Sequence, residues 1–239
     1  MASDMLVNQK PSGEASRVDE VYYGILLRIV RGQMPAGMPL KSTQIARELG
    51  VSRTPVVQAL QRLAADGIVH LEMNKRAVVR PGAEKWLVEI HEMRELLEPH
   101  AAALAAERIS DQQLARLEAL AVDALPSNAS SSDTVPGDAV PGKQRDWAAA
   151  AQAFDFALHL TIADASGNFV LAEAIRKCWD FKRLSYAAAD EPHEVLDKGY
   201  QEHLAILQAL RVHDPLTARA AMLLHLRSAA RLRPAETIV

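Results

Sequence analysis

Asp155 and His159 stand four residues apart in a stretch of helical pattern, so both project from one face. His203 falls in a later helical stretch and His225 in the last one. One carboxylate and three imidazoles, carried by three helices, are a donor set that a helical bundle can gather around a divalent metal. Oxygen and nitrogen donors suit zinc first, with nickel, manganese or iron as alternatives. The bland reading stands beside it: the chain has eight histidines, and a histidine more often packs as a satisfied, partly buried side chain. Spacing alone leaves both readings open.

A second chemistry is written into Gly50-Val51-Ser52-Arg53-Thr54-Pro55-Val56-Val57-Gln58-Ala59-Leu60. Thr43 to Leu49 is predicted as a short helix with Ile45, Ala46 and Leu49 on one face. Gly50 takes the positive φ that ends it. Ser52 is an expected N-cap, and Pro55 is tolerated in the first turn. Val56, Ala59, Leu60 and Leu63 form the buried stripe. Arg53 and Thr54 then sit at the tip of a helix suited to a DNA groove, with Gln58 and Arg62 further along. Thr43, at the start of the preceding helix, joins them as a candidate DNA contact. Ile68 to Met73 and Ala77 to Arg80 are β-prone, and Asn74-Lys75-Arg76 between them is a basic turn. This is a wing whose Lys75 or Arg76 can meet phosphates; an ordinary hairpin with a solvated charged turn is the alternative.

The elements that must position these residues follow from composition and pattern. The chain of 239 residues is long enough for two domains. Half of it is hydrophobic, aromatics are sparse and alanine is abundant, which favours helices. Residues 1–80 carry 11 Lys plus Arg against 7 Asp plus Glu, about +4, and the remainder carries 16 against 23, about −7. A basic head on an acidic body suits one domain that meets phosphates and another that does not. The single cysteine, Cys178, excludes an internal disulfide and reads as a small buried hydrophobe. No apolar run approaches a membrane span and no signal-peptide core is present, so a cytoplasmic protein without a membrane partner is expected.

Residues 1–16 are expected to be a disordered tail, 17–80 a winged helix-turn-helix domain, and 81–239 an antiparallel all-α bundle of about six helices. The fold class is mainly α. Trp86, Leu87, Ile90, Met93, Leu96 and Leu97 recur at three- and four-residue steps, predicting an amphipathic helix through Arg108. Ser110-Asp111-Gln112-Gln113 is a capping-box pattern opening the next, to Leu125. Pro126 to Gly142 is low-complexity and reads as a flexible loop. Helices are then expected over Asp146–Ala165, Phe169–Ala189, His193–Val212 and Pro215–Leu232, the last opened by Asp214-Pro215.

The residues from Val21 to the wing resemble the GntR family of bacterial transcription regulators, above all Ile29 to Leu40 and Ser52-Arg53-Thr54-Pro55. The chain departs from the family at Val57 and Gln58, where arginine and glutamate are common, at Ser42 and Thr43, and at Arg76. The missing arginine removes one expected DNA contact. Phe154 to His159, Ala163 to Asn168, Glu202 to Leu210 and His225-Leu226 resemble the FCD effector domain of the FadR-type branch, in its shorter VanR-like form. That resemblance implies that Asp155, His159, His203 and His225 are metal ligands. It also implies that Arg94, in Glu92-Met93-Arg94-Glu95-Leu96-Leu97-Glu98-Pro99, binds the carboxylate of an effector; the residues alone allow a surface arginine paired with Glu98. Asn168 and Arg183 are further effector candidates, whose plainer readings are a helix cap and a solvated charge. His70, His91, His100, His193 and His213 match no ligand position.

The function expected is a ligand-responsive transcription regulator, a repressor by family habit. It would bind a palindromic double-stranded DNA operator as a homodimer and respond to a small organic acid held at the metal, through the Pro81-Gly82 joint. Two alternatives differ in kind. A metal-dependent enzyme would use an open coordination position to activate water, although no carboxylate stands out as a general base. A metal-stabilised structural dimer module would ignore every acid.

Overall fold

The computed structural model describes residues 13–73, 76–125, 147–187 and 193–232. Two compact units divide at Glu89 and Ile90. The first holds α1 (Gly13–Val30), β1 (Pro39–Leu40), α2 (Ser42–Leu49), α3 (Arg53–Ala65), β2 (Val69–Leu71) and β3 (Ala77–Val79). Its core is made where α1 packs on α3: Tyr22, Ile25, Leu26 and Ile29 meet Val56, Ala59, Leu60 and Leu63, all buried. Gly50 ends α2 at φ 64°, its N–H reaching the carbonyls of Ala46 and Arg47. A side chain at that backbone angle is strained, so glycine sets the turn between the two helices.

Four details differ from the sequence expectation. Gly13 to Ser16, read as tail, already belong to α1. Ser52 holds the N-cap position of α3 without a side-chain capping hydrogen bond. Leu49 is exposed, so α2 buries only Ile45 and Ala46. The wing is also a three-stranded sheet, not a hairpin: β1 pairs antiparallel with β3, with Leu40 opposite Ala77, in the order β1-β3-β2. Pro39-Leu40 is too short to show a period, so only its partner reveals it as a strand.

The second unit contains most of α4 (Trp86–Arg108), then α5 (Asp111–Asp123), α6 (Trp147–Ala165), α7 (Phe169–Ala187), α8 (His193–Arg211) and α9 (Pro215–Leu232). Six helices were expected, and these six are described. The expected loop over 126–142 lies outside the described residues. Ser110 and Gln113 form the reciprocal capping box at α5. Asp214 accepts from the N–H groups of Leu216 and Thr217 to open α9. At the C-terminal end of α5 the carbonyl of Ala121 accepts from Tyr200 Oη as well as from the Ala124 N–H, and the carbonyl of Ala124 accepts from Trp147 Nε1.

Helix α4 is turned differently from its apolar pattern. Met93 and Leu96 are exposed, Leu96 at 72 %. The buried face runs through Arg94, Glu98, Ala101, Ala102, Ala105 and Ala106. Alanines let neighbouring helices approach closely, and Arg94 and Glu98 stay inside because each has a charged partner there. Among the described residues, no helix is long and apolar enough to cross a membrane.

Candidate metal centre and nucleic-acid interface

Asp155 and His159 lie in the buried stripe of α6, between Phe154, Leu158 and Ile162. His203 lies one turn from Tyr200 and Ile206 on the inner face of α8, and His225 precedes the fully buried Leu226 on α9. The apolar stripes that build the bundle therefore deliver the four polar side chains to one point. One ligand atom from each lies within 4.8 Å of all the others, and all four residues are buried. His203 Nε2 is 3.0 Å from Asp155 Oδ1 and 3.1 Å from His225 Nε2; His159 Nε2 is 3.2 Å from Asp155 Oδ1. A tetrahedral ion with bonds of about 2.0–2.1 Å spaces its donors by about 3.3 Å. The donors present fit such an ion in type and spacing. His159 Nε2 is moreover a buried polar atom whose approach to Asp155 Oδ1 is not aligned as a hydrogen bond, as suits an atom aimed at a cation.

The electrostatics favour the ligand forms. Burial pushes the His203 imidazole below its ordinary pKa, with Asp155 opposing. Burial and the neighbouring His203 and His159 hold His225 well below its ordinary value. Neutral imidazoles are the form that binds metal. Burial alone would raise Asp155, but the Lys182 ammonium and His203 outweigh it and hold the carboxyl well below the usual range. Lys182 Nζ donates to Asp155 Oδ2 at 3.3 Å.

A second layer escaped sequence reasoning. Glu98 of α4 accepts from Arg94 Nε at 2.5 Å and Trp179 Nε1 at 3.0 Å on one oxygen, and its other oxygen meets His159 Nδ1. Glu202 Oε2 is 3.0 Å from His225 Nδ1. The Arg94 guanidinium stacks 4.3 Å from the centre of the Trp179 ring, and Lys182 Nζ lies 4.5 Å from it. The only sequence signal for Glu98 was its four-residue spacing from Arg94, in line with the alanine stripe.

The expected effector residues separate. Arg94 is buried, not on the helix surface, and stands beside the cluster through Glu98. Asn168 is exposed at the start of α7, where its Oδ1 accepts from the Leu171 N–H. It caps that helix, roughly two turns beyond His159. Arg183 lies in α7, but its side chain is outside the described residues.

At the other unit, Arg53, Thr54 and Gln58 are exposed along the first turns of α3, and Thr43 is exposed at the start of α2. Arg53 Nε donates to Ser42 Oγ at 3.0 Å, which steadies the side chain at the helix tip. Arg76 is exposed beside the wing turn; Lys75 lies outside the described residues. Arg62 departs from the expectation. It turns to α1, with Nη1 2.5 Å from Asp19 Oδ1 and its guanidinium 4.3 Å from the Tyr22 ring centre. Tyr22 Oη in turn donates to Asp66 Oδ2 at 2.6 Å.

A winged helix with polar side chains at the tip of its second helix, and a separate helical bundle around a buried oxygen and nitrogen donor cluster, define a DNA-binding regulator with a sensing domain. Residues 17–79 match the profile of bacterial regulatory proteins of the gntR family, and residues 89–228 match that of the FCD domain. The chain belongs to the GntR family and carries an FCD domain. It is 31 % identical to a probable D-xylose utilization operon transcriptional repressor of Paenarthrobacter nicotinovorans, over 84 % of this chain and 81 % of that one. It is 28 % identical to the transcriptional regulator LutR of Bacillus subtilis, over 83 % of this chain and 92 % of that one. The solved structure of E. coli McbR/YncC shares the fold, with a TM-score of 0.58 at 23 % identity, covering 93 % of this chain and 97 % of that one. The protein is a transcription regulator and not an enzyme.

Proposed function

We propose that this regulator is a metal-assisted sensor of a small organic acid, acting as a homodimeric repressor on a palindromic operator. The convergence of Asp155, His159, His203 and His225 carries the reading. Zinc is the first candidate for a site of three nitrogens and one oxygen, with nickel, manganese or iron as alternatives. When bound, the ion supplies Lewis-acid attraction for a carboxylate. Arg94 lies beside the cluster and has the planar donor fork that carboxylates fit. Phe154, Leu158 and Trp179 shield the site from water, which strengthens each of these attractions.

Arg53, Thr54, Gln58, Thr43 and the basic wing turn at Lys75 and Arg76 would face DNA, with half-sites roughly 34 Å apart in a dimer. Arg62 would support them indirectly by tying α3 to α1. The exposed Met93 and Leu96 on α4 favour a partner for that face, and a second copy is the economical one. Acid changes operator affinity only by binding the DNA-competent and incompetent states unequally. A cytoplasmic location follows from a chromosomal target.

One observation favours a second reading. Four protein donors complete a tetrahedral ion, as in purely structural zinc sites. The test titrates a panel of small acids into the complex of the protein with DNA from its own gene neighbourhood, alongside His203→Ala. Release by one acid, lost in the variant, supports the sensor. Tight binding indifferent to every acid leaves a structural metal.

A further inference from the structure

We propose that Glu98 is the positioning residue that fixes His159 as the tautomer with its proton on Nδ1 and its Nε2 lone pair aimed into the cluster. The proposal rests on the metal reading above but can fail separately from it. Arg94 Nε and Trp179 Nε1 are donors with no capacity to accept, and both converge on Glu98 Oε1 at 2.5 and 3.0 Å. The other oxygen of the same carboxylate meets His159 Nδ1. A carboxylate accepts on every side, so Nδ1 must be the donor. Nε2 points into the cluster without a well-aligned hydrogen bond among the described residues, and a cation seated between it and Asp155 Oδ1, 3.2 Å away, would take its lone pair. Two obligate donors on Oε1, the Arg94 guanidinium and the Trp179 indole N–H, mark Glu98 as the acceptor of this group.

An amide cannot take the place of Glu98. With its oxygen toward Arg94 and Trp179, its NH2 would face His159 and force the ring proton onto Nε2, inside the cluster. Flipped, its NH2 would meet two obligate donors. Glu202 plays the corresponding part for His225 at 3.0 Å, but its side chain is 24 % exposed against 1 % for Glu98. Water can stand in for Glu202 and cannot reach Glu98. Carboxylates that orient metal-binding histidines in this way typically change metal affinity about 10- to 100-fold when removed. The same carboxylate ties Arg94 to His159, so the anchor proposed for the acid and a metal ligand share one acceptor.

The test begins with the metal-free wild-type protein at pH 8, histidines labelled with nitrogen-15. Long-range nitrogen–proton correlations report which ring nitrogen of His159 carries the proton. The expected result is a neutral ring with Nδ1–H; an Nε2–H tautomer, or a ring protonated on both nitrogens, overturns the proposal. Zinc affinity is then measured by chelator competition. Glu98→Gln is expected to bind about 10- to 100-fold more weakly than wild type, and Glu202→Gln to lose less. Wild-type affinity in a folded Glu98→Gln protein overturns the proposal. A wild type that shows the Nδ1–H tautomer yet takes up no zinc supports the positioning role and sinks the metal reading instead. If Glu98→Gln does not fold, the wild-type tautomer still decides.

Discussion

The Nε2 atoms of His203 and His225 lie 3.1 Å apart in the buried centre of the bundle, on two helices that pack along each other. Without a cation, a proton on His203 Nε2 can be shared with His225 Nε2 or with Asp155 Oδ1, 3.0 Å away; with one, both lone pairs have a shared target. Metal bound only to the folded protein stabilises it by RT ln(1 + [metal]/Kd), about 2.7 kcal/mol at one hundred times Kd. Zinc is expected to raise the melting temperature of chelator-treated protein by several degrees. A thermal scan with and without zinc checks this, and coincident curves would count against the site.

Arg53 stands at the exposed tip of α3, steadied by Ser42. Arg53→Ala is expected to weaken operator binding by about 1–3 kcal/mol if it reads a base, with less discrimination at that position. A phosphate contact would instead weaken all sequences alike and lower the salt slope by about one. Fluorescence anisotropy at several salt concentrations separates these, and an unchanged affinity removes Arg53 from the interface.

Arg62→Met should behave in the opposite way. The side chain is 40 % exposed, so its ion pair with Asp19 is discounted for solvent screening. Its place over Tyr22 is worth about 0.5–1 kcal/mol. A loss of about 1 kcal/mol in urea stability is expected, with operator affinity retained well below the melting temperature. Lost affinity at full stability would return Arg62 to the DNA face.

Cys178 offers a check on the packing of α7. Burial, aided by the nearby Glu98 charge, pushes its thiol up to about 11. Reactivity requires the thiolate, so it should rise with pH and be slight at pH 8 in the folded protein. Labelling with a thiol reagent at pH 8 is expected to be slow, and fast in denaturant. Rapid labelling of the native state would mean that α7 opens readily.

What was legible in the sequence was local. Gly50 and the stripe Val56, Ala59, Leu60 and Leu63 specify helix, turn and helix within a few residues of each other. Asp155, His159, His203 and His225 each stand in an apolar stripe, so burying the stripe buries the ligand. What was hidden depends on how helices rotate against one another. The pattern of α4 put Met93 and Leu96 inward, whereas the structure turns inward Arg94 and Glu98, whose partners His159 and Trp179 are more than sixty residues away. Lys182 and Glu202 were invisible for the same reason. Arg62 read as a DNA contact because only the fold brings the Tyr22 ring beneath it.

The most direct test of the metal centre is stoichiometry. Chelator-treated wild-type protein and His203→Ala are dialysed against zinc, and the bound metal is measured by elemental analysis. One ion per chain in wild type, and a marked loss in the variant of equal helicity, is the predicted result. No bound zinc in wild type, or one ion per chain in both, would contradict the assignment of Asp155, His159, His203 and His225 as its ligands.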